Sequence, residues 1–455
     1  MIDTRRSVHL LAILFAACAA PMATAQNLPP TKTAAELAAL VDAYFDSRTD
    51  EEANVDAATK ELTKELAKGK FTSAARIEEL LRAPRHTYPD VSALVGKTTA
   101  HPVRCYHVDY QSTYRLFVPS NYDPKQPTPL VLVGHGGNSS MSPARAASVA
   151  KMYLRAYAPT LAKELGAIVV APDTTRGWGQ IGNSLLLSTI SQLQRQFHID
   201  PDRIYATGQS MGGHMAYRAA LTIGDRFGAV SPHSGGYDFV AKGTIGNLRN
   251  VPGYVTFGKR EPYGIDKDNR SNAAWAKEHQ LDWVFAEKNG GHEIYQDELP
   301  KVAAFFAARP RNLYRKQVEA RLGGTMKFVK TWGVKGWPEH TVHHETRPLR
   351  WNQQHWLELT PRPDHKGALQ VRATNLGNNH FEIQSDQVRQ LFLHVHPRMI
   401  DFAKPVQIMV NGETLFNGIV QPDVQHMLKL AREFDDRGRI FWARIPVSVA
   451  TDRPF

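Results

Sequence analysis

Residues 203–213 read Arg-Ile-Tyr-Ala-Thr-Gly-Gln-Ser-Met-Gly-Gly, and they constrain this chain more than any other stretch. A short apolar strand, 203–207, runs into Gly208-Gln209-Ser210-Met211-Gly212-Gly213 and then at once into a helix from about Met211. A strand and a helix joined by so few residues leave Ser210 on a sharp turn, where the neighbours must be small. Such a turn lifts a hydroxyl clear of a sheet edge and points the first helical N–H groups at it. The surroundings must therefore supply a sheet with helices packed on it.

They do so between about 101 and 310. An antiparallel pair is expected from 105–109 and 114–118. Buried strands follow at 130–133, 167–171, 203–207, 229–231, 254–257 and 283–286. Helical runs lie between them near 144–165, 182–197, 211–223, 271–279 and 294–307. Apolar strands of four or five residues alternating with helices predict an α/β fold, with a mostly parallel sheet covered on both faces. The length of 455 residues leaves room for two or three domains. Residues 26–100 are expected to be a helical segment. Thr33-Ala-Ala-Glu36 is a capping box, followed by Leu37, Leu40, Val41, Tyr44 and Phe45 at helical spacing. From 325 to 455 short strands predominate, and Asn411-Gly412 marks a hairpin. That pattern predicts a small β-sandwich.

Two further loops complete a chemistry with Ser210. Gly134-His135-Gly136-Gly137-Asn138 ends the strand 130–133. A hydroxyl that attacks a carbonyl needs two N–H donors for the developing oxyanion. Met211, next after the serine, offers one, and Gly136 or Gly137 offers the other. A base is expected in Gly290-Gly291-His292-Glu293, after the strand 283–286. The chain order serine, acid, histidine favours His292 over His233 and His279. The acid belongs in the loop after 254–257, where Glu261 comes first and Asp266 and Asp268 follow. Glu261 is the expected acid and Asp266 its rival. Arg176 and Trp178, after the strand 167–171, and His233 are candidates to line the substrate cleft.

The stretch 114–119, the His-Gly-Gly loop, residues 199–205 and the Gly-x-Ser-Met-Gly-Gly turn together resemble secreted serine esterases of the α/β-hydrolase superfamily. The similarity covers about 110–310 and is greatest to feruloyl-esterase and polyhydroxybutyrate-depolymerase-like enzymes, with kinship to prolyl-oligopeptidase-type hydrolases. It implies a serine hydrolase that cleaves carboxylic esters through an acyl-enzyme on Ser210, with no metal or organic cofactor. The substrate would be a small or polymer-borne ester, such as a plant-wall polysaccharide ester. A serine peptidase without the usual propeller insertion, or a non-catalytic binding protein on the same scaffold, are the alternatives.

Residues 1–25 read as an export signal. Arg5 and Arg6 precede a short apolar run, and Ala23-Thr24-Ala25 fits cleavage before Gln26. A periplasmic or secreted protein is expected; a lipoprotein cut before Cys18 is the rival reading. The apolar run is too short to span a bilayer stably. After cleavage Cys105 is the one remaining cysteine, so no internal disulfide can form, and it reads as a small buried hydrophobe. The net charge of +11 is spread along the chain without a nucleic-acid-binding motif, so no nucleic-acid partner is expected. His340, His343, His344 and Glu345 resemble a metal cluster in composition. Strand alternation would split them between two faces.

Overall fold

The computed structural model describes residues 31–47, 52–106, 108–138, 140–236, 245–322, 353–361 and 369–449. The expected export signal with Cys18, the His340–Glu345 group and the expected boundary at 325 lie outside these residues.

Three helices lead: α1 (Thr31–Asp46), α2 (Glu52–Lys68) and α3 (Ala74–Arg82). Thr31 is already helical, so Thr33 lies inside α1 rather than at its cap. There follow β1 (Thr98–Arg104), β2 (Gln111–Phe117), β3 (Thr128–Gly134), α4 (Pro143–Leu165), β4 (Ile168–Pro172), α5 (Gln180–Gln196), β5 (Ile199–Gln209), α6 (Met211–Thr222), β6 (Ala229–His233), β7 (Gly253–Gly258), α7 (Ile265–Glu278), β8 (Trp283–Lys288) and α8 (Leu299–Ala307). These strands form one sheet in the order β1-β2-β4-β3-β5-β6-β7-β8. The pairings of β1 with β2 and of β2 with β4 are antiparallel, and the rest are parallel. Strand β3 shows why both faces must be covered. Leu130 and Leu132 enter one core with α5 and α6, while Val131 and Val133 enter the other with α4 and α8. A doubly covered sheet of this order, with the Ser210 turn between β5 and α6, is the α/β-hydrolase fold.

The expected antiparallel pair exists, but its first strand is 98–104 rather than 105–109. Only Val103 of β1 is buried, and Pro102 sits within it, as an edge strand allows. Cys105 lies beyond the strand instead, where its N–H donates to the Tyr110 carbonyl (2.8 Å). Cys105 is buried, and desolvation pushes its thiol up to about 12, which suits packing rather than reactivity.

The remaining elements are β9 (Gln317–Leu322), β10 (Gln353–Gln354), β11 (Leu357–Pro361), β12 (Leu369–Gly377), β13 (His380–Asp386), β14 (Val388–Val395), β15 (Val406–Val410), β16 (Glu413–Gly418), α9 (Val424–Glu433) and β17 (Ala443–Ser448). One sheet runs β10-β11-β14-β17 and the other β16-β15-β13-β12-β9, and their alternate buried residues share one apolar core. This is the expected sandwich, although its strand β9 precedes residue 325. Asn411 (φ 51°) and Gly412 (φ 85°) form the β15–β16 hairpin, since both central positions of that turn need positive φ.

The helix α9 departs from the expectation of an almost helix-free C-terminal part. It packs on α1–α3 through Met427, Leu428 and Ala431, so the N-terminal helices are docked on the C-terminal part rather than a loose appendage. Phe441 and Trp442 are tied up in contacts within the protein. Phe441 is fully buried, and the Trp442 indole donates to Glu78 of α3 (2.7 Å). A buried ion cluster joins the sandwich to the large sheet. Asp436 meets Arg226 and Arg311 (2.5 Å each), and Arg439 meets Asp225 (2.8 Å). Charges this deep need such partners to be tolerated. Among the described residues no helix is long and apolar enough to cross a membrane.

Candidate active site

Ser210 sits between β5 and α6 with φ 61° and ψ −121°. A non-glycine residue held there stores about 1–3 kcal/mol of strain, which the flanking contacts must offset. Its N–H donates to the His233 carbonyl (2.9 Å), and its own carbonyl accepts from the His214 N–H (3.0 Å). The turn needs glycine at 212 for space. A Cβ there would lie 1.9 Å from the Gly134 carbonyl oxygen.

His292 reaches the serine from the loop after β8. Its Nε2 lies 2.8 Å from Ser210 Oγ, and its Nδ1 lies 2.6 Å from Glu261 Oε2. The loop is held by the Arg260 N–H donating to the Gly290 carbonyl (3.1 Å) and the Tyr295 hydroxyl donating to the Gly291 carbonyl (2.7 Å). The Glu261 side chain is fully buried, and its Oε1 accepts the Gly258 N–H (2.9 Å). An ionised carboxylate only accepts, so His292 carries its proton on Nδ1 and offers a lone pair on Nε2 to the serine hydroxyl. That arrangement can take a proton from Ser210 and return it elsewhere.

Asp266 takes no part. It lies in the first turn of α7 and pairs with Arg270 (2.9 Å), which also pairs with Glu287 (2.6 Å). Asp268 occupies the same first turn, and His279 caps the far end of α7, stacked on Trp275.

The loop after β3 abuts the serine. A Cβ on Gly136 would stand 3.2 Å from Ser210 Cβ and 2.2 Å from the Tyr153 hydroxyl, so only glycine fits. Gly137 has φ 118°. His135, between them and β3, is wholly buried, and burial pushes its imidazole below the usual range. The Thr174 N–H donates to its Nε2 (3.0 Å), so Nδ1 keeps the proton and donates to the Gly136 carbonyl (2.8 Å). Because the peptide is planar and trans, anchoring that carbonyl directs the Gly137 N–H the opposite way. The sequence showed His135 within its glycines, but nothing local signalled this anchoring role. Beside it, the Tyr153 hydroxyl donates to Gln209 Oε1 (2.5 Å), and burial pushes the Tyr153 phenol up to about 12.

Two of the three expected cleft residues stand elsewhere. The Trp178 side chain is buried, and its indole N–H donates to the His135 carbonyl (2.9 Å), so it braces the glycine loop from behind. The His233 side chain is also buried, 2.9 Å from the Ser231 hydroxyl, and desolvation pushes it down to about 3. Its contribution to the site is its carbonyl. Arg176 is exposed on the loop after β4. Among the described residues no group of three or more His, Cys, Asp or Glu side chains is placed to hold a metal ion.

A family model named Esterase, with the description "Putative esterase", matches residues 108–340, just over half of the chain. A protein of Aspergillus oryzae named "Probable feruloyl esterase C" is 36% identical over 130 residues, which are 27% of this chain and 46% of that protein. The "Bifunctional acetylxylan esterase/xylanase XynS20E" of Neocallimastix patriciarum is 29% identical over 126 residues, 26% of this chain and 17% of that protein. The chain thus spans less than half the length of these curated relatives. Among solved structures, a thermostable esterase superposes with a TM-score of 0.40 at 20% identity, covering 47% of this chain and 63% of that one.

Proposed function

The chain belongs to the Esterase family, and from that premise we propose that it is an exported serine hydrolase that cleaves carboxylic esters by way of an acyl-enzyme. The observation that carries this reading is the unbroken hydrogen-bonded line from Ser210 Oγ through His292 to the buried carboxylate of Glu261. His292 Nε2 takes the hydroxyl proton as Ser210 Oγ attacks the acyl carbon. The oxyanion is met by the N–H of Met211 and by that of Gly136 or Gly137. When the tetrahedral intermediate collapses, the C–O bond to the alcohol breaks and His292 gives the proton to the departing oxygen. Water then repeats the sequence and frees the acid. Glu261 holds the imidazole in the productive tautomer and balances the imidazolium.

The curated relatives are named for feruloyl and acetylxylan esters, which favours an ester borne on plant-wall polysaccharide. Export rests on the Arg5-Arg6 start, the short apolar run and the Ala23-Thr24-Ala25 site. The test compares the parent with Ser210→Ala on 4-nitrophenyl acetate and methyl ferulate. Turnover should fall at least ~10⁴-fold with the circular dichroism spectrum unchanged. Equal turnover in the two proteins, or faster cleavage of a matched anilide than of the ester, would sink the reading.

A further inference from the structure

Far along the chain from Ser210, a groove of about 610 Å3 opens between α2, α9, β17 and the residues that follow β16. Its size is in the range of small-molecule sites. Its polar wall is organised from behind by a buried relay. Arg444 donates to both carboxylate oxygens of Glu358 (2.9 and 3.2 Å), so Glu358 is an ionised, acceptor-only group. His394 must then donate its Nε2–H to Glu358 (3.0 Å), which leaves its Nδ1 to accept the Nε2–H of His426 (3.2 Å). The series of obligations ends at His426 Nδ1, a bare acceptor on a ring that lines the groove. Burial and the adjacent His394 push His426 well below the usual imidazole range, so it is neutral.

The rest of the lining narrows the ligand. Asp56, Asp423 and the Glu358 behind Arg444 stand against Lys60, Lys429 and Arg444. Lys429 pairs with Asp56 (2.9 Å), so these charges balance and the groove favours an uncharged ligand. Phe416 gives it an apolar face, while the Arg444 guanidinium covers one face of Phe392, 3.4 Å from its ring centre. Gln421 and Gln425 add exposed amides that both donate and accept. A peptide strand is a poor fit. The Val449 N–H donates to the Arg389 carbonyl (3.0 Å), so antiparallel alternation turns positions 444, 446 and 448 of β17 towards its open edge. The middle one is Pro446, which has no N–H to give.

We propose that this groove is a second binding site, for a neutral oligosaccharide, with Phe416 against the C–H face of a sugar ring and His426 Nδ1 and the two glutamine amides on its hydroxyls. The proposal deepens the reading of a polymer-borne ester and rests on it for the choice of sugar. The test is titration calorimetry of the full chain with xylohexaose, which carries no ester. Saturable binding is expected below ~10 mM. His426→Ala and Gln425→Trp, the second a surface change that fills the groove without touching the relay, should each weaken binding about tenfold or more. Both variants should hydrolyse 4-nitrophenyl acetate like the parent. No saturation with xylohexaose, or binding that Gln425→Trp leaves unchanged, overturns the proposal. If instead the parent binds xylohexaose but cleaves no ester, the esterase reading fails and the groove stands.

Discussion

Replacing Glu261 by glutamine tests the acid assignment, because the structure dictates how the new amide must lie. Glu261 Oε1 accepts the Gly258 N–H (2.9 Å) and Oε2 faces His292 Nδ1 (2.6 Å). The Gly258 contact is buried, so water cannot replace a partner lost there. A glutamine that keeps its oxygen on the Gly258 N–H must aim its NH2 at His292 Nδ1. The imidazole then becomes an acceptor at Nδ1 and carries its proton on Nε2, facing Ser210, where it cannot take the hydroxyl proton. The flipped amide restores the tautomer but sets NH2 against the Gly258 N–H. Leaving that buried donor unpaired costs about 1–3 kcal/mol, so the productive tautomer is reduced roughly 5- to 150-fold. The carboxylate charge that balances the imidazolium is lost as well, and acid-to-amide changes in triads cost on the order of 10⁴-fold in turnover. Glu261→Gln should therefore lose between those limits, nearer the larger, in kcat/KM for 4-nitrophenyl acetate at a matched folded fraction. Asp266→Asn, whose partner is Arg270 on the surface side of α7, should stay within about twofold, as surface changes do. A Glu261→Gln enzyme within fivefold of the parent would refute both the assignment and the tautomer argument.

Gly136→Ala puts a methyl 2.2 Å from the Tyr153 hydroxyl and should displace the loop that faces Ser210. If that loop supplies an oxyanion donor, kcat should fall on the order of 10²-fold or more. Adding Tyr153→Phe, which removes the clashing oxygen, should recover part of the loss, and no recovery would mean that the loop is held otherwise. A second test concerns pH. Burial alone would raise the Glu78 pKa, but hydrogen bonds from His396, Trp442 and Arg82 outweigh it and hold the carboxyl at about 2, against an ordinary 4.5. A depressed carboxylate stabilises the fold above its unfolded pKa, and that stability is lost as pH falls through the folded one. The docking of α1–α3 should therefore weaken between about pH 4.5 and pH 2, and Glu78→Gln should flatten the acid limb of thermal unfolding over that window.

What the sequence revealed and what it hid follow from where the deciding forces act. The Ser210 turn was legible because its constraint is written in adjacent glycines. Gly208 and Gly212 sit against the Gly134 backbone of the neighbouring strand, where a Cβ would clash. The buried strands were legible because a sheet covered on both faces needs continuous apolar runs. Strand β1 was misplaced because an edge strand needs no such run, and Thr98–Arg104 buries only Val103. The start of α7 was missed because its inward face is partly amide. Ile265, Asn269, Asn272 and Ala276 keep helical spacing, but Asn269 is buried to accept the Tyr217 hydroxyl (2.6 Å) and to donate to the Gly235 carbonyl (2.8 Å).

That missed start explains why two acids stayed in contention. Read as loop, 261–268 offered Glu261 and Asp266 alike. Once Pro262–Gly264 forms a tight turn, with Tyr263 (φ 61°) and Gly264 (φ 77°) both left-handed, the helix opens at Ile265. Asp266 is then committed to Arg270, four residues along the same helix, a pairing that helix geometry sets. Glu261, just ahead of the turn, remains beside Gly258 at the end of β7, where the sheet delivers it to His292. His233 and Trp178 were misread for a related reason. Polar and aromatic residues beside a catalytic loop look like cleft walls in sequence, yet this loop must also be fixed from beneath. The Trp178 N–H and the His233 carbonyl do that by meeting backbone groups that would otherwise be buried without partners. Here the residues at the strand ends around Ser210 are its foundations rather than its walls, which only the third dimension reveals.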